Sequence, residues 1–195
     1  MYVSLMAATP SPRRFTDRLD ASAWYDATFR PWEMSLSEAE RHAIYEYKAY
    51  GFADLNEALR FDGSPDQNLV TLLDRAIARH QLREPVIVFR GLVSEILRYE
   101  IADLTGDEIT DLAYVSTSLL QIVAEDFIAA ESRDERLIAE ILIPGGVHVG
   151  ALVGAPDQVR NLGELEILIP RGSRFEIVGT EPERDPPIIE MEVLI

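Results

Sequence analysis

The order of apolar and polar positions divides this chain into a helical first part and a strand-rich second part. In the first part, Leu69, Leu72, Leu73 and Ile77 recur at helical spacing, and Asp66 stands where a helix cap is expected. After residue 84 the apolar runs become short and continuous, which is typical of strands. The pattern therefore predicts an α+β fold in which most helices precede the sheet.

The N-terminal part carries two helix signals after a less regular leader. Ser37 and Glu40 form the Ser-x-x-Glu pattern of a capping box, and Gly51 is expected to end the helix that follows. Residues 1–33 contain prolines in a mixed background, so we expect a loose leader with one short helix. The helices expected here span residues 21–28, 37–49 and 52–61, followed by the helix that Asp66 caps.

The second part is expected to consist of short strands with two further helices. A connection over residues 150–163 is long for a compact domain, and such connections are often functional. We divide a single domain into a leader (1–33), a helical part (34–84) and a strand-rich core (85–195). The expected strands are 85–91, 114–118, 137–143, 164–169, 174–178 and 188–194, and the expected helices are 95–101 and 122–130.

Composition excludes several classes of protein. The 18 basic and 34 acidic side chains give a net charge of −16, which repels phosphate backbones, so we expect no nucleic-acid partner. The absence of cysteine excludes disulfides and thiol nucleophiles, and the 3 scattered histidines disfavour a metal site. No apolar run reaches the roughly 18 residues of a spanning helix, and the first residues lack a signal peptide. We therefore expect no membrane insertion.

The segment from Gly163 to Gly172 carries two neighbouring carboxylates. Alternate residues of a strand share a face, so Glu164 and Glu166 are expected to point the same way, with Leu165 on the opposite, core face. Such a pair suits glycosyl transfer, because one carboxylate stabilises an oxocarbenium-like cation while the other acts as a base. The alternative is a half-exposed strand with a charged outer face.

Two further motifs carry candidate chemistry. Arg90 ends an apolar strand, where a guanidinium binds phosphate or carboxylate, and Gly91 lets the backbone approach a ligand. The alternative is an arginine that reaches solvent from a strand end. The hydroxyls of Ser116-Thr-Ser118 precede a helix, where one hydroxyl caps the helix and another orients a carboxylate. Alternatively, they only end the strand.

The order of these motifs resembles the mono-ADP-ribosyltransferase toxin family of the Arg–Ser–Glu class. Phe89-Arg-Gly91, Tyr114-Val-Ser-Thr-Ser118 and Glu164-Leu-Glu166 stand in the family's order, with similar strands between them. The resemblance runs from about residue 85 to the C-terminus, and the helices at 37–80 fit the family's helical part. It implies a split β-sandwich of α+β class that uses NAD as a substrate and needs no metal.

The resemblance also assigns residues to NAD. Arg90 would hold a phosphate or the nicotinamide-side ribose, and the Gly91 backbone would bind the nicotinamide carboxamide. Ser116 would orient Glu166, which would hold a ribose hydroxyl and stabilise the cation formed as nicotinamide leaves. Tyr114 would pack under the nicotinamide or fill the core instead.

The acceptor side is assigned in the same way. Glu164 would bind and deprotonate the acceptor, and a glutamate two residues before the catalytic one accompanies arginine acceptors in this family. Residues 154–163 would form the acceptor-recognition loop, with Arg160 and Asn161 as candidate contacts. This loop lacks the aromatic residue that relatives often carry, and Ala113 replaces a common glycine. The missing aromatic residue bears on which target protein is recognised, not on whether ADP-ribose is transferred.

Two alternatives stand beside transfer to a protein arginine. An NAD glycohydrolase would use the same site with water as the acceptor, whereas an inactive module would bind NAD or a protein without turnover. The family implies a bacterial effector, a toxin unit or a phage enzyme, cytoplasmic in its producer or delivered into a target cell. An immunity or carrier protein is a further partner that this setting allows.

Overall fold

The computed structural model describes residues 10–61, 63–93, 101–132, 136–152 and 164–195. Helices within these ranges are α1 (Arg18–Ser35), α2 (Glu38–Glu46), α3 (Phe52–Arg60), α4 (Gln67–Ile77) and α5 (Gln121–Ile128). Strands within them are β1 (Val86–Val93), β2 (Glu108–Asp111), β3 (Val115–Ser118), β4 (Arg136–Ile143), β5 (Gly150–Ala151), β6 (Glu166–Ile169), β7 (Ser173–Glu181) and β8 (Ile188–Leu194). The α+β class with an N-terminal helical region is confirmed.

The eight strands lie in the order β2-β7-β8-β4-β1-β3-β6-β5, with β4 and β8 parallel and the other pairs antiparallel. The sheet nearly divides between β1 and β3, because a single residue pair, Phe89 with Ser118, joins these two strands. By contrast, β1 pairs with β4 along its whole length. The sheet therefore consists of a five-strand part and a three-strand part that meet where the middle of β1 pairs with the end of β3.

The helical part follows its local signals closely. Ser37 and Glu40 make both hydrogen bonds of a capping box, and the Asp66 side chain accepts from two backbone N–H groups at the start of α4. The expected break at Gly51 is wrong. The helix continues from α2 into α3 through a π-helical segment, Tyr47–Gly51, in which Gly51 keeps a helical conformation.

The leader contains much more helix than the sequence predicts. Helix α1 has 18 residues rather than the expected eight and is capped by Asp17, with Pro31 inside it. Its apolar face buries Phe29 and Trp32, and the Trp32 indole donates to the carbonyl of Ala76 at 2.8 Å. Burial against the core outweighs the hydrogen bond that a proline removes from a helix.

Two strands depart from the predicted pattern. The stretch expected as a connection from residue 150 begins with β5, which pairs with Ile167 and Leu168 of β6, and β2 was missed. Strand β6 begins at Glu166 and buries Ile167, Leu168 and Ile169, so consecutive residues on both of its faces are shielded from solvent. The helix expected at 95–101 lies outside the described residues except for Ile101, where a 3-10 turn begins.

No helix in the described ranges combines the length and the apolar content needed to cross a bilayer.

Candidate active site

A cleft of about 630 Å³ opens where the two parts of the sheet meet. Its lining comes from the π-helical segment, α1, α3, β1, β3 and α5, together with Leu152 and the two glutamates Glu164 and Glu166. The polar side chains that line the cleft include Lys48, Asn56, Arg90, Ser116, Glu164 and Glu166. The folded chain thus brings the Arg, Ser and Glu-x-Glu motifs together from three strands that are distant in sequence.

The carboxylate of Glu166 is held at both of its oxygens. The Ser116 hydroxyl donates to Oε1 at 2.8 Å, and the ammonium of Lys48 makes a short contact with Oε2. Burial raises the pKa of Glu166, Lys48 and Ser116 oppose this, and Glu164 adds to it. The net direction is a pKa above that of an ordinary glutamate.

Glu164 reaches the same ammonium without belonging to the strand. Leu165 has a φ of 47°, a left-handed conformation that is strained for a leucine, so the chain turns between the two glutamates. The hydroxyl of Ser118 donates to the Glu164 carbonyl at 2.6 Å and helps to hold this turn. The expectation that strand alternation aligns the carboxylates is wrong, yet both lie beside Lys48, with Glu164 Oε2 at 3.1 Å.

Arg90 lines the same cleft as Lys48 and contacts the backbone rather than a carboxylate. Its Nη1 donates to the Ser116 carbonyl at 2.9 Å, and no described carboxylate forms an ion pair with it. Burial lowers the pKa of Arg90, and the neighbouring Arg60 adds to this. Arg60 itself is neutralised by a two-point ion pair with Asp111. Arg90 therefore keeps donors for an anion.

Gly91 has a packing role that the sequence did not indicate. A Cβ atom at this position would lie 2.6 Å from the carbonyl of Ala124 and 2.7 Å from a methyl of Ile128, both on α5. The missing side chain therefore allows α5 to pack against β1. The Gly91 backbone still lines the cleft, as the proposed carboxamide contact requires.

Tyr114 belongs to the core rather than to the cleft. The side chain is fully buried, and its hydroxyl donates to Asp74 at 2.7 Å. Its ring packs edge-on against that of Tyr47 at 5.7 Å between centroids. Of the two alternatives for this residue, the structure supports core packing, and Tyr114 is not among the residues that line the cleft.

Four side chains that the sequence analysis missed shape the cleft. Tyr47 accepts a hydrogen bond from Asn56 at 2.9 Å, which leaves the buried Oδ1 of Asn56 without a partner beside the cleft. Tyr25 on α1 donates to the backbone carbonyl of Glu166 at 2.9 Å. Lys48 could have been found, since it is the chain's single lysine. The candidate acceptor contacts Arg160 and Asn161 lie outside the described residues.

A family model described as ADP-ribosyltransferase exoenzyme matches residues 21–191. The chain belongs to this family. The match confirms the resemblance carried by the three ordered motifs, and it also includes most of the helical part.

Among curated proteins, the chain is 29% identical over 154 residues to NAD(+)–arginine ADP-ribosyltransferase EFV of Enterococcus faecalis. The match covers 75% of this chain and 30% of that relative, so the chain spans less than a third of its length. The two proteins therefore share one region rather than a whole architecture.

Solved structures of bacterial exoenzymes share the fold. The C3 exoenzyme of Clostridium limosum superposes with a TM-score of 0.78 at 23% identity, covering 95% of this chain and 98% of that one. C3stau2 of S. aureus, solved with NAD, gives a TM-score of 0.73 at 19% identity, covering 95% and 99%. The likeness extends over nearly the full length of each chain.

Proposed function

We propose that this protein is a mono-ADP-ribosyltransferase that moves ADP-ribose from NAD to an arginine side chain of a target protein. The observation that carries the proposal is the Glu166 carboxylate, fixed by Ser116 and Lys48, with the second carboxylate of Glu164 at the same ammonium. The name of the E. faecalis relative supports both the donor and the acceptor.

The chemistry of the cleft fits NAD as the substrate. Arg90 offers a cation without a carboxylate partner among the described residues, which suits a diphosphate or ribose oxygen. The unpartnered Oδ1 of Asn56 offers an acceptor for a hydroxyl or an amide N–H. A cleft of about 630 Å³ is in the range that binds small molecules.

In the proposed first step, the bond between the ribose C1′ and the nicotinamide nitrogen breaks, and the bonding electrons leave with nicotinamide. Glu166 accepts a hydrogen bond from a ribose hydroxyl and stabilises the positive charge that develops on the sugar. Ser116 keeps the carboxylate in place by donating to Oε1. The role of Ser116 is thus to position Glu166 rather than to attack the substrate.

In the proposed second step, a guanidinium nitrogen of the target arginine forms a bond to C1′ and loses one proton to Glu164. Its side chain is 42% exposed, whereas that of Glu166 is 19% exposed. The more accessible carboxylate therefore faces the side from which a protein arrives. The proton passes from Glu164 to solvent, which completes the balance.

The target is proposed to be recognised outside this pair, with Arg160 and Asn161 among its contacts. The setting that we propose is delivery into a target cell, which is supported by fold neighbours named as toxins, such as Plx2a of Paenibacillus larvae. Labelling lysates from several hosts tests the setting, because a labelled band is expected where the target is present, and Arg160→Ala and Asn161→Ala in the same assay test the contacts.

The proposed activity is tested by incubating labelled NAD and a lysate with the purified protein. We expect a labelled protein band that hydroxylamine removes, and we expect Glu166→Gln to abolish it. The matched control is Glu176→Gln, since Glu176 is an exposed strand glutamate on β7, away from the cleft. If nicotinamide is released in a Glu166-dependent reaction but no protein or guanidine acceptor becomes labelled, the result would instead indicate a glycohydrolase.

A further inference from the structure

The chain uses arginine for all but one of its 18 basic side chains, and the single lysine lies in the cleft. Lys48 belongs to the π-helical segment between α2 and α3. Single π turns inside helices occur frequently at functional sites, because the wider turn changes the direction of nearby side chains. Both the residue type and the local backbone therefore set Lys48 apart from the other cations.

The ammonium of Lys48 has a protein acceptor for each of its three N–H donors. It contacts Oε2 of Glu166, Oε2 of Glu164 at 3.1 Å and the carbonyl of Leu152 at 3.4 Å. Its side chain is only 6% exposed. A buried and fully bonded ammonium is poorly suited to bind a substrate anion but well suited to fix the groups around it.

The two carboxylates create the need for such a cation. Burial and the nearby charge of Glu164 both raise the pKa of Glu166, which favours the protonated form. A protonated Glu166 would not stabilise a cationic sugar. Lys48 and Ser116 are the groups that oppose this effect, and Lys48 is the only charged one of the two.

We propose that Lys48 is a positioning residue that holds Glu164 and Glu166 together in their ionised, reactive arrangement. This inference rests on the proposed function. Because Glu164 is the more exposed partner, an incoming guanidinium replaces the Lys48–Glu164 contact while the Lys48–Glu166 contact remains. Lysine suits the position because its three donors diverge, whereas the donors of arginine lie in one plane.

Other charged or titratable groups line the same cleft or lie near Glu166, and the tests below leave each of them unchanged. They come from α1, the π-helical segment, β1, α5 and the turn before β6. These groups are Arg18, Tyr25, Tyr47, Arg90, Asp126 and Glu164.

The first test is the pH dependence of nicotinamide release by the wild type, Lys48→Met and Lys48→Arg. Loss of an opposite charge near a carboxylate shifts its pKa by roughly 1–3 units, so the acid limb of Lys48→Met moves up by at least about one pH unit. Its rate then falls roughly tenfold at pH values below the wild-type midpoint, but by much less well above the shifted limb. Lys48→Arg moves the limb back toward its wild-type position.

The matched control is Arg79→Met, which removes a cation from Glu40, a fully buried glutamate outside the cleft. Circular dichroism verifies that every variant is folded. We expect Arg79→Met to lower the melting temperature without moving the acid limb. An unmoved limb in Lys48→Met, or an equal shift in Arg79→Met, would overturn the proposal.

The second test does not need turnover. Isotopic labelling of lysine gives one side-chain signal, since the chain has one lysine. We expect this ammonium signal to be protected from exchange and to shift as Glu166 titrates, and the shift to disappear in Glu166→Gln. A shift of the lysine signal without any NAD cleavage would refute the proposed function but support the contact between Lys48 and Glu166. Cleavage with an unprotected, unresponsive lysine would refute the role of Lys48 alone.

Discussion

The cleft contains two cations whose surroundings differ sharply. Lys48 contacts two carboxylates and a carbonyl, whereas Arg90 contacts one backbone carbonyl and no described carboxylate. The two are linked through Ser116, whose carbonyl accepts from Arg90 and whose hydroxyl donates to Glu166. Lys48 therefore organises the protein's own acids, while Arg90 keeps its charge available for the substrate.

This difference separates binding from chemistry within one small site. An arginine whose charge is not neutralised binds phosphate oxygens strongly, so its loss is expected to weaken binding. A lysine saturated by carboxylates cannot add much binding energy, so its loss is expected to alter protonation and geometry. Variants of Arg90 and variants of Lys48 thus test different steps of the proposed reaction, namely NAD binding and bond cleavage.

The largest effect that sharpens this comparison is expected from Arg90→Met. We expect NAD affinity to fall roughly 10- to 100-fold, since hydrogen bonds to charged groups contribute about 1.5–3 kcal/mol. Calorimetry in a Glu166→Gln background measures the affinity without consuming NAD. Arg60→Met is the control, because Asp111 already neutralises that guanidinium. Equal losses of NAD affinity in Arg90→Met and Arg60→Met would contradict the assignment of Arg90 to the substrate.

The next effect is expected from Ser116→Ala. The variant removes the hydroxyl that donates to Glu166 and should raise the pKa of that carboxyl further. We expect nicotinamide release to fall about tenfold at neutral pH, with a smaller change in NAD affinity. Thr117→Val is the control, since Thr117 donates to the Ile167 carbonyl and should affect stability instead. A wild-type rate for Ser116→Ala would contradict the account.

The pH profile of the wild type is a further test. Glu166 must be ionised to act, and its pKa is raised. The rate of nicotinamide release should therefore be maximal above that pKa and fall as the pH drops through it. The fall should approach tenfold per pH unit and begin above the ordinary glutamate value of about 4.3. Stopped assays over a pH series measure it. A midpoint below that value would contradict the assigned surroundings of Glu166.

The smallest effect is expected from Tyr25→Phe. The variant removes the hydrogen bond to the Glu166 carbonyl, which neither cation contacts, and leaves that oxygen without this donor. Thermal unfolding should show a loss of about 1–2 kcal/mol, with only a few-fold change in rate. Tyr50→Phe is the control, because Tyr50 is exposed and the change should fall within about 0.5 kcal/mol. An equal stability loss in both would sink this assignment.

Features with local causes could be predicted from the sequence. The capping box of α2 and the Asp66 cap of α4 depend on side chains within three residues of the helix start, and both are present. The order of Arg90, Ser116 and Glu166 along the chain likewise indicated the family. Local chemistry and motif order were sufficient for these parts.

Features that depend on distant contacts could not be predicted. The left-handed Leu165 is unfavourable by itself and is held by β3, and α1 is helical through Pro31 because its apolar face is buried. The meeting of Lys48 with Glu166 joins residues 118 positions apart. The single lysine is visible in the composition and could have singled out Lys48, although composition does not show where a residue lies in space.

The measurement that tests the central claim most directly is the separation of cleavage from transfer with a small guanidine acceptor. NAD and agmatine are incubated with the wild type, Glu166→Gln and Glu164→Gln, and both nicotinamide and ADP-ribosyl-agmatine are quantified. We predict that Glu166→Gln forms neither product and that Glu164→Gln releases nicotinamide but forms no adduct. Adduct formation by Glu164→Gln at the wild-type rate, or by Glu166→Gln at any comparable rate, would contradict the account.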